Sequence, residues 1–121
     1  MRKMLTVYST TKDDALILRY KYRYILFMSS SELDFGIEER GLLNEIMRYI
    51  GEISYSKANP KIAAQYSRKL FVIKTERSYE DLIILALSFI KELHGRRIGF
   101  FSLKSSGTIK SLRVYSKKIT A

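Results

Sequence analysis

The chain has 121 residues, 46% of them apolar, with one histidine, no cysteine and a formal net charge of +10. This is the length of one domain with enough apolar residues for a core, which excludes a disordered tail, disulfides and thiolate metal sites. All Asp and Glu residues lie at or before Glu92, whereas residues 93–121 carry Arg96, Arg97, Lys104, Lys110, Arg113, Lys117 and Lys118 and no acid.

Cations gathered on one small region suit a polyanionic partner, because a phosphate backbone gains most when several charges neutralise it together. A structured RNA, DNA or an anionic membrane surface would each fit. The longest apolar runs, such as Leu82 to Leu87, fall far short of the roughly 20 residues a membrane span needs. The basic start Met1-Arg2-Lys3-Met4 is followed by a polar run from Ser9 to Asp14, unlike a signal peptide. A soluble cytoplasmic protein without membrane contact is the expectation.

Residues 1–17 have no clean period and read as a flexible or partner-ordered arm, followed by one domain over 18–121. Tyr24 to Met28 is a continuous apolar run rich in aromatic and branched residues, which predicts a buried strand ended by Ser29-Ser30-Ser31. Asp34-Phe35-Gly36 has the letters of a kinase motif, but the catalytic loop and large fold that give them meaning are missing. They read as a loop entering a helix, with Glu38 and Glu39 in its first turn. Leu43, Ile46, Met47, Ile50 and Ile53 recur at helical spacing, and Gly51 with the polar stretch Ser54 to Asn59 is expected to close that helix.

Lys61 to Tyr66 and Leu70 to Lys74 predict two strands joined by a tight turn at Ser67-Arg68-Lys69, without the glycine such turns prefer. Ser78-Tyr79-Glu80-Asp81 has the form of a capping box. The helix it opens is expected to reach about Leu93, with Leu82, Ala86, Phe89 and Leu93 on one stripe, His94 as a partner for its C-terminal dipole, and Gly95 as its left-handed stop. Arg97 to Leu103 predicts a fourth strand. A last helix over roughly 108–118 has an apolar stripe of Thr108, Leu112, Tyr115 and Ile119, with Lys110, Arg113 and Lys117 on another face.

The order strand, helix, strand, strand, helix, strand predicts an α/β (α+β) sandwich: a ferredoxin-like, RNA-recognition-motif-like βαββαβ sheet with an added C-terminal helix. Both sides of the first strand are apolar, so the sheet needs cover on its second face. The last helix, the N-terminal arm or another subunit would supply it.

Three groups are candidate RNA-binding residues. Lys104, Ser106, Gly107, Thr108, Lys110, Arg113, Lys117 and Lys118 surround a glycine-containing turn that opens a helix, where free N–H groups, hydroxyls and ammonium groups suit phosphate. The alternative is an ordinary N-cap by Ser106 on a solvated helix. Arg96 and Arg97 suit bidentate phosphate contact or, equally, solvation of a loop. Arg19, Lys21 and Arg23 alternate with Tyr20, Tyr22 and Tyr24, which fits an RNA surface or a strand with core tyrosines. Arg68-Lys69-Leu70-Phe71-Val72-Ile73 lacks the glycine and spaced aromatics that stack bases on an RNA recognition motif, so stacking on the open sheet is not expected. One histidine leaves no catalytic triad, and no two carboxylates are spaced as a metal or acid/base pair; the protein is expected to bind no cofactor.

Arg23-Tyr24-Ile25, Leu85-Ala86-Leu87, Gly95-Arg96-Arg97-Ile98 and above all Ser106-Gly107-Thr108-Ile109-Lys110 fall in the order and spacing that resemble archaeal ribonuclease P protein component 2, over about Leu18 to Lys118. The resemblance implies a ferredoxin-like, non-catalytic subunit of the ribozyme that removes 5′ leaders from precursor tRNA. It implies that the RNA carries the chemistry and uses Mg²⁺. It further implies that the protein supports the catalytic domain of that RNA, pairs with ribonuclease P protein component 3, and self-associates within a heterotetramer. The hairpin near Ser67 is shorter than the family's, and residues 1–17 have no clear counterpart in it.

Two other classes compete. A small metal-dependent CRISPR-associated endonuclease of the same fold would place an Asp near the end of the first strand, where this chain has serines and only Asp34 later. A regulatory small-ligand domain would show no steep salt dependence of RNA binding.

Overall fold

A computed structural model describes residues 21–120; the arm over 1–17 and Arg19 lie outside the described residues. In chain order the elements are β1 (Tyr22–Ser29), α1 (Phe35–Ile50), α2 (Glu52–Ala58), β2 (Lys61–Ser67), β3 (Leu70–Glu76), a 3₁₀ turn (Arg77–Tyr79), α3 (Glu80–Phe89), β4 (Glu92–Leu93), β5 (Arg96–Arg97), β6 (Phe100–Ser106) and α4 (Ile109–Thr120). Four strands form one sheet in the order β2-β3-β1-β6, and β4 pairs with β5 in a separate ribbon. Every pairing is antiparallel. This is the expected ferredoxin-like sheet with a C-terminal helix added.

The register explains why β1 is apolar on both sides. Ile25 pairs with Ile73 and Phe27 with Phe71, while Leu26 pairs with Val72. Alternate residues on a strand face opposite ways. Ile25, Phe27, Phe71 and Ile73 therefore meet α1 and α3, joining Leu42, Ile46, Ile83 and Leu87 in the main core. Phe71 is its hub, with the rings of Phe35, Phe27 and Phe100 at 4.9, 5.6 and 5.9 Å. On the other face Leu26, Leu70 and Val72 are buried against Leu112 of α4, flanked by Tyr24, Ala64, Tyr66, Leu103 and Tyr115. The second face has its cover, and the C-terminal helix supplies it.

Several boundaries differ from the sequence reading. The first helix stops at Ile50, because Gly51 takes φ 88°, ψ 159°, a conformation open essentially to glycine. The stretch expected to close it forms α2 instead, ended by left-handed Asn59, and Ile53 points to solvent on α2. Asp34 caps α1, its carboxylate accepting from the Gly36 N–H at 3.0 Å. Ser78 is no cap: the Arg77 N–H donates to the Lys21 carbonyl, Ser78 is drawn into the 3₁₀ turn, and α3 starts at Glu80.

That helix also ends early, at Phe89. Ile90 is extended, and Glu92-Leu93 pairs with Arg97-Arg96 around His94 and Gly95, both at positive φ (53° and 76°). A two-residue loop with left-handed conformation at both positions is the turn that matches strand twist. Gly95 is left-handed as expected, but within a hairpin. Leu93 is buried from that hairpin, while Phe89 is half exposed. His94 is likewise no dipole partner: its ring lies against Gly41 of α1, where a Cβ would collide with it. The fourth long strand is Phe100–Ser106, displaced because Arg97 belongs to the hairpin.

Candidate nucleic-acid interface

β6 delivers the chain to α4 through Ser106-Gly107-Thr108. The Ser106 hydroxyl accepts from the Thr108 N–H at 3.2 Å, and the Thr108 hydroxyl accepts from the Ser111 N–H at 3.4 Å. The turn therefore begins to cap its own helix, with Thr108 rather than Ser106 serving the first turn. Leu112 and Ser116 face inward and are buried, whereas Lys110, Arg113, Lys117 and Lys118 are exposed.

These cations spread around the outer side of the helix. Lys104, Thr108, Lys110, Ser111, Tyr115 and Lys118 line an open groove of about 390 Å³ between β6 and α4, with Val114 completing its wall and no carboxylate among its residues. Lys104 Nζ lies 4.9 Å from the centre of the Tyr115 ring, a contact that fixes an ammonium group without neutralising it. On the opposite flank Arg113 is near Tyr66. Burial pushes the Tyr66 phenol above its ordinary pKa, and the Arg113 charge pulls it back down.

The other candidates are placed differently. Arg23 pairs with Thr75 in register, on the side of the main core. Its Nε donates to Glu80 at 3.0 Å and its Nη2 to the Ser105 hydroxyl at 3.3 Å, while that hydroxyl donates to the second Glu80 oxygen at 2.5 Å. Arg96 grips both oxygens of Glu38 at 2.8 and 2.9 Å and donates to the Glu32 carbonyl at 2.8 Å. Both guanidinium groups are thus already engaged in joining β1 to α3 and the hairpin to α1. Arg97 is exposed and stands opposite Glu92.

Two lysines that the sequence reading passed over, Lys61 and Lys74, lie directly opposite each other on β2 and β3. Only the strand register reveals them, since they are 13 positions apart in the chain.

Among the described residues no group of three or more His, Cys, Asp or Glu side chains is placed to hold a metal ion. The Asp34 carboxylate that a nuclease reading would need is engaged as the cap of α1. Among the described residues no helix is long and apolar enough to cross a membrane.

Comparison with known proteins agrees with this architecture. A chain in the cryo-EM structure of yeast ribonuclease MRP superposes with a TM-score of 0.55 at 16% identity, covering 84% of this chain and 89% of that one, a likeness of fold. Ribonuclease P protein component 2 of Pyrococcus furiosus is 31% identical over 99 residues, covering 79% of this chain and 82% of the relative. The Pyrococcus horikoshii protein of the same name is 30% identical over 116 residues, covering 93% of this chain and 91% of the relative. That second match has to enter residues 1–17, so at least part of the N-terminal stretch has a counterpart in one relative. Residues 19–117 match the Rpp14/Pop5 family across nearly the whole described domain, and the chain belongs to that family.

Proposed function

We propose that this chain is a protein subunit of ribonuclease P that binds and stabilises the catalytic RNA removing the 5′ leader from precursor tRNA. The RNA performs the cleavage with its own Mg²⁺, and the protein contributes charge and shape. The observation that carries the reading is the acid-free groove of Lys104, Lys110 and Lys118 beside an α4 whose outer side also presents Arg113 and Lys117. Cations set here neutralise phosphates where RNA strands crowd together, which lowers the Mg²⁺ needed for the active fold. Because α4 occupies the sheet face that other proteins of this topology use to stack bases, the contacts are to the phosphate backbone and to shape.

Exposed apolar side chains outside the α4 groove support protein contacts. Tyr49 and Phe89 stack at 6.0 Å on the helical side, both substantially exposed. Met28 and Phe101 pair across β1 and β6 and are also exposed. Ribonuclease P protein component 3 and a second copy of this chain are the partners proposed for these surfaces, in a cytoplasmic ribonucleoprotein.

The test is binding to a ribonuclease P RNA transcript as a function of salt. Replacing Lys110, Arg113 and Lys117 together by Gln should make log K against log salt shallower by about 0.7–0.9 per lost phosphate contact. The circular dichroism spectrum should not change, since all three side chains are exposed. An unchanged slope with an intact fold would overturn the α4 contact.

A further inference from the structure

A row of directly paired residues crosses the sheet near the start of β1. Lys61 of β2 is opposite Lys74 of β3, Lys74 is opposite Tyr24 of β1, and Tyr24 is opposite Ser106 of β6. Paired residues on neighbouring strands project from the same face. Tyr24 packs into the cluster beneath α4, so the whole row lies on the α4 side. Three strand spacings of about 4.8 Å make it roughly 14 Å long. It runs from the outer edge of β2 to the residue that leads into α4.

Two features of this corner concentrate positive charge in the free protein. Like charges directly opposite on neighbouring strands repel, and Lys61 faces Lys74 in that way. One tyrosine ring also serves two ammonium groups: Lys74 Nζ is 4.2 Å and Lys21 Nζ 5.5 Å from the centre of Tyr22. Glu76, opposite Tyr22 in register, is the nearby acid on this face. Yet the ion pairs among the described residues are Arg23–Glu80, Arg48–Glu45 and Arg96–Glu38, and none involves these lysines. The ring orients the ammonium groups and leaves their charge uncompensated.

The geometry points to a second anion site, formed by Lys61, Lys74 and Lys21 around Tyr22, that takes phosphodiester groups of the same RNA that α4 engages; it rests on the RNA-binding reading above. A phosphate seated between Lys61 and Lys74 turns a repulsive pair into a shared attraction. The row through Tyr24 and Ser106 then makes the site continuous with the groove of Lys104, Thr108 and Lys110. The RNA backbone would be held along two sides of α4, and the protein would read its path with no contact to base edges.

The experiment compares the double variant Lys61→Gln/Lys74→Gln with the α4 triple variant, using the full chain and a ribonuclease P RNA transcript. Loss of both strand lysines should make the salt slope shallower by about 1.4–1.8, while the thermal midpoint of the free protein holds or rises because the repulsion is gone. A wild-type slope for the double variant beside a shallower one for the triple would overturn the second site and leave α4 binding intact. Wild-type slopes for both would remove the RNA-binding reading and the site with it. A readout on the unaltered protein guards against misfolded variants: RNA should protect Lys61 and Lys74 from an amine-acylating reagent. Absence of that protection, or equal protection by inorganic phosphate alone, would overturn the assignment to RNA.

Discussion

Both faces of the central sheet are apolar, but they are covered very differently. Among the described residues the helical side closes over sixteen buried apolar residues drawn from most of the elements. Among the described residues the α4 side buries four apolar side chains, and Leu112 is the helix's own apolar contribution. Burial of apolar area is the main favourable term in folding, so the helical side holds the fold and the α4 side is a thin lid upon it. Ammonium groups need water or an anion around them. Cations find that room on the side of the thinner layer, with Lys104 and Lys110 at the α4 groove, Arg113 near Tyr66, and Lys61 opposite Lys74. The contrast separates a face built on a deep core from a face with a thin apolar layer rimmed by cations.

The largest expected effect is on the thick side. Phe71→Ala removes the ring at the centre of the aromatic cluster and should cost about 3–5 kcal/mol, against a total stability of about 5–15 kcal/mol for a domain. Chemical denaturation of the variant would measure it, and a loss under about 1 kcal/mol would mean that the helical side does not dominate.

Leu112→Ala should cost less, about 2 kcal/mol, the low end for such truncations because it packs in the small cluster, where α4 is free to settle. Its effect should also be local. Hydrogen exchange should speed up in α4 while β1 and β3 keep their protection. Uniform loss of protection would show that the two layers open as one.

The smallest effect sharpens the comparison. Arg96→Gln should cost about 1 kcal/mol, since the Glu38 pair is bidentate but partly exposed to solvent. It should leave the salt slope of RNA binding unchanged. A shallower slope would return Arg96 to the interface.

What was legible in the sequence divides along physical lines. The two-sided apolar run of β1 announced a sheet needing two covers, and the pattern around Leu112 announced a helix able to be one of them. Those signals are local, and local patterning survives into the fold. The hairpin around His94 and Gly95 was hidden, because Leu93 continues the apolar spacing of α3 and looks helical until Ile90 turns extended. The partners of Arg23 and Arg96 lie 57 and 58 residues away in the chain. A charge count cannot distinguish a cation already matched within the fold from one left for a ligand. Lys61 and Lys74 were invisible for the related reason that strand register is a property of the assembled sheet.

The outer strand β2 carries a further consequence. Its pairing with β3 slips twice, between Ile62 and Ala64 and again between Gln65 and Ser67, and it begins with an exposed lysine. Bulges and edge lysines are devices that stop a sheet from recruiting another strand. Copies of this protein brought close together are therefore discouraged from merging into a continuous sheet through β2. At this edge, contact with another molecule falls to side chains rather than to backbone pairing.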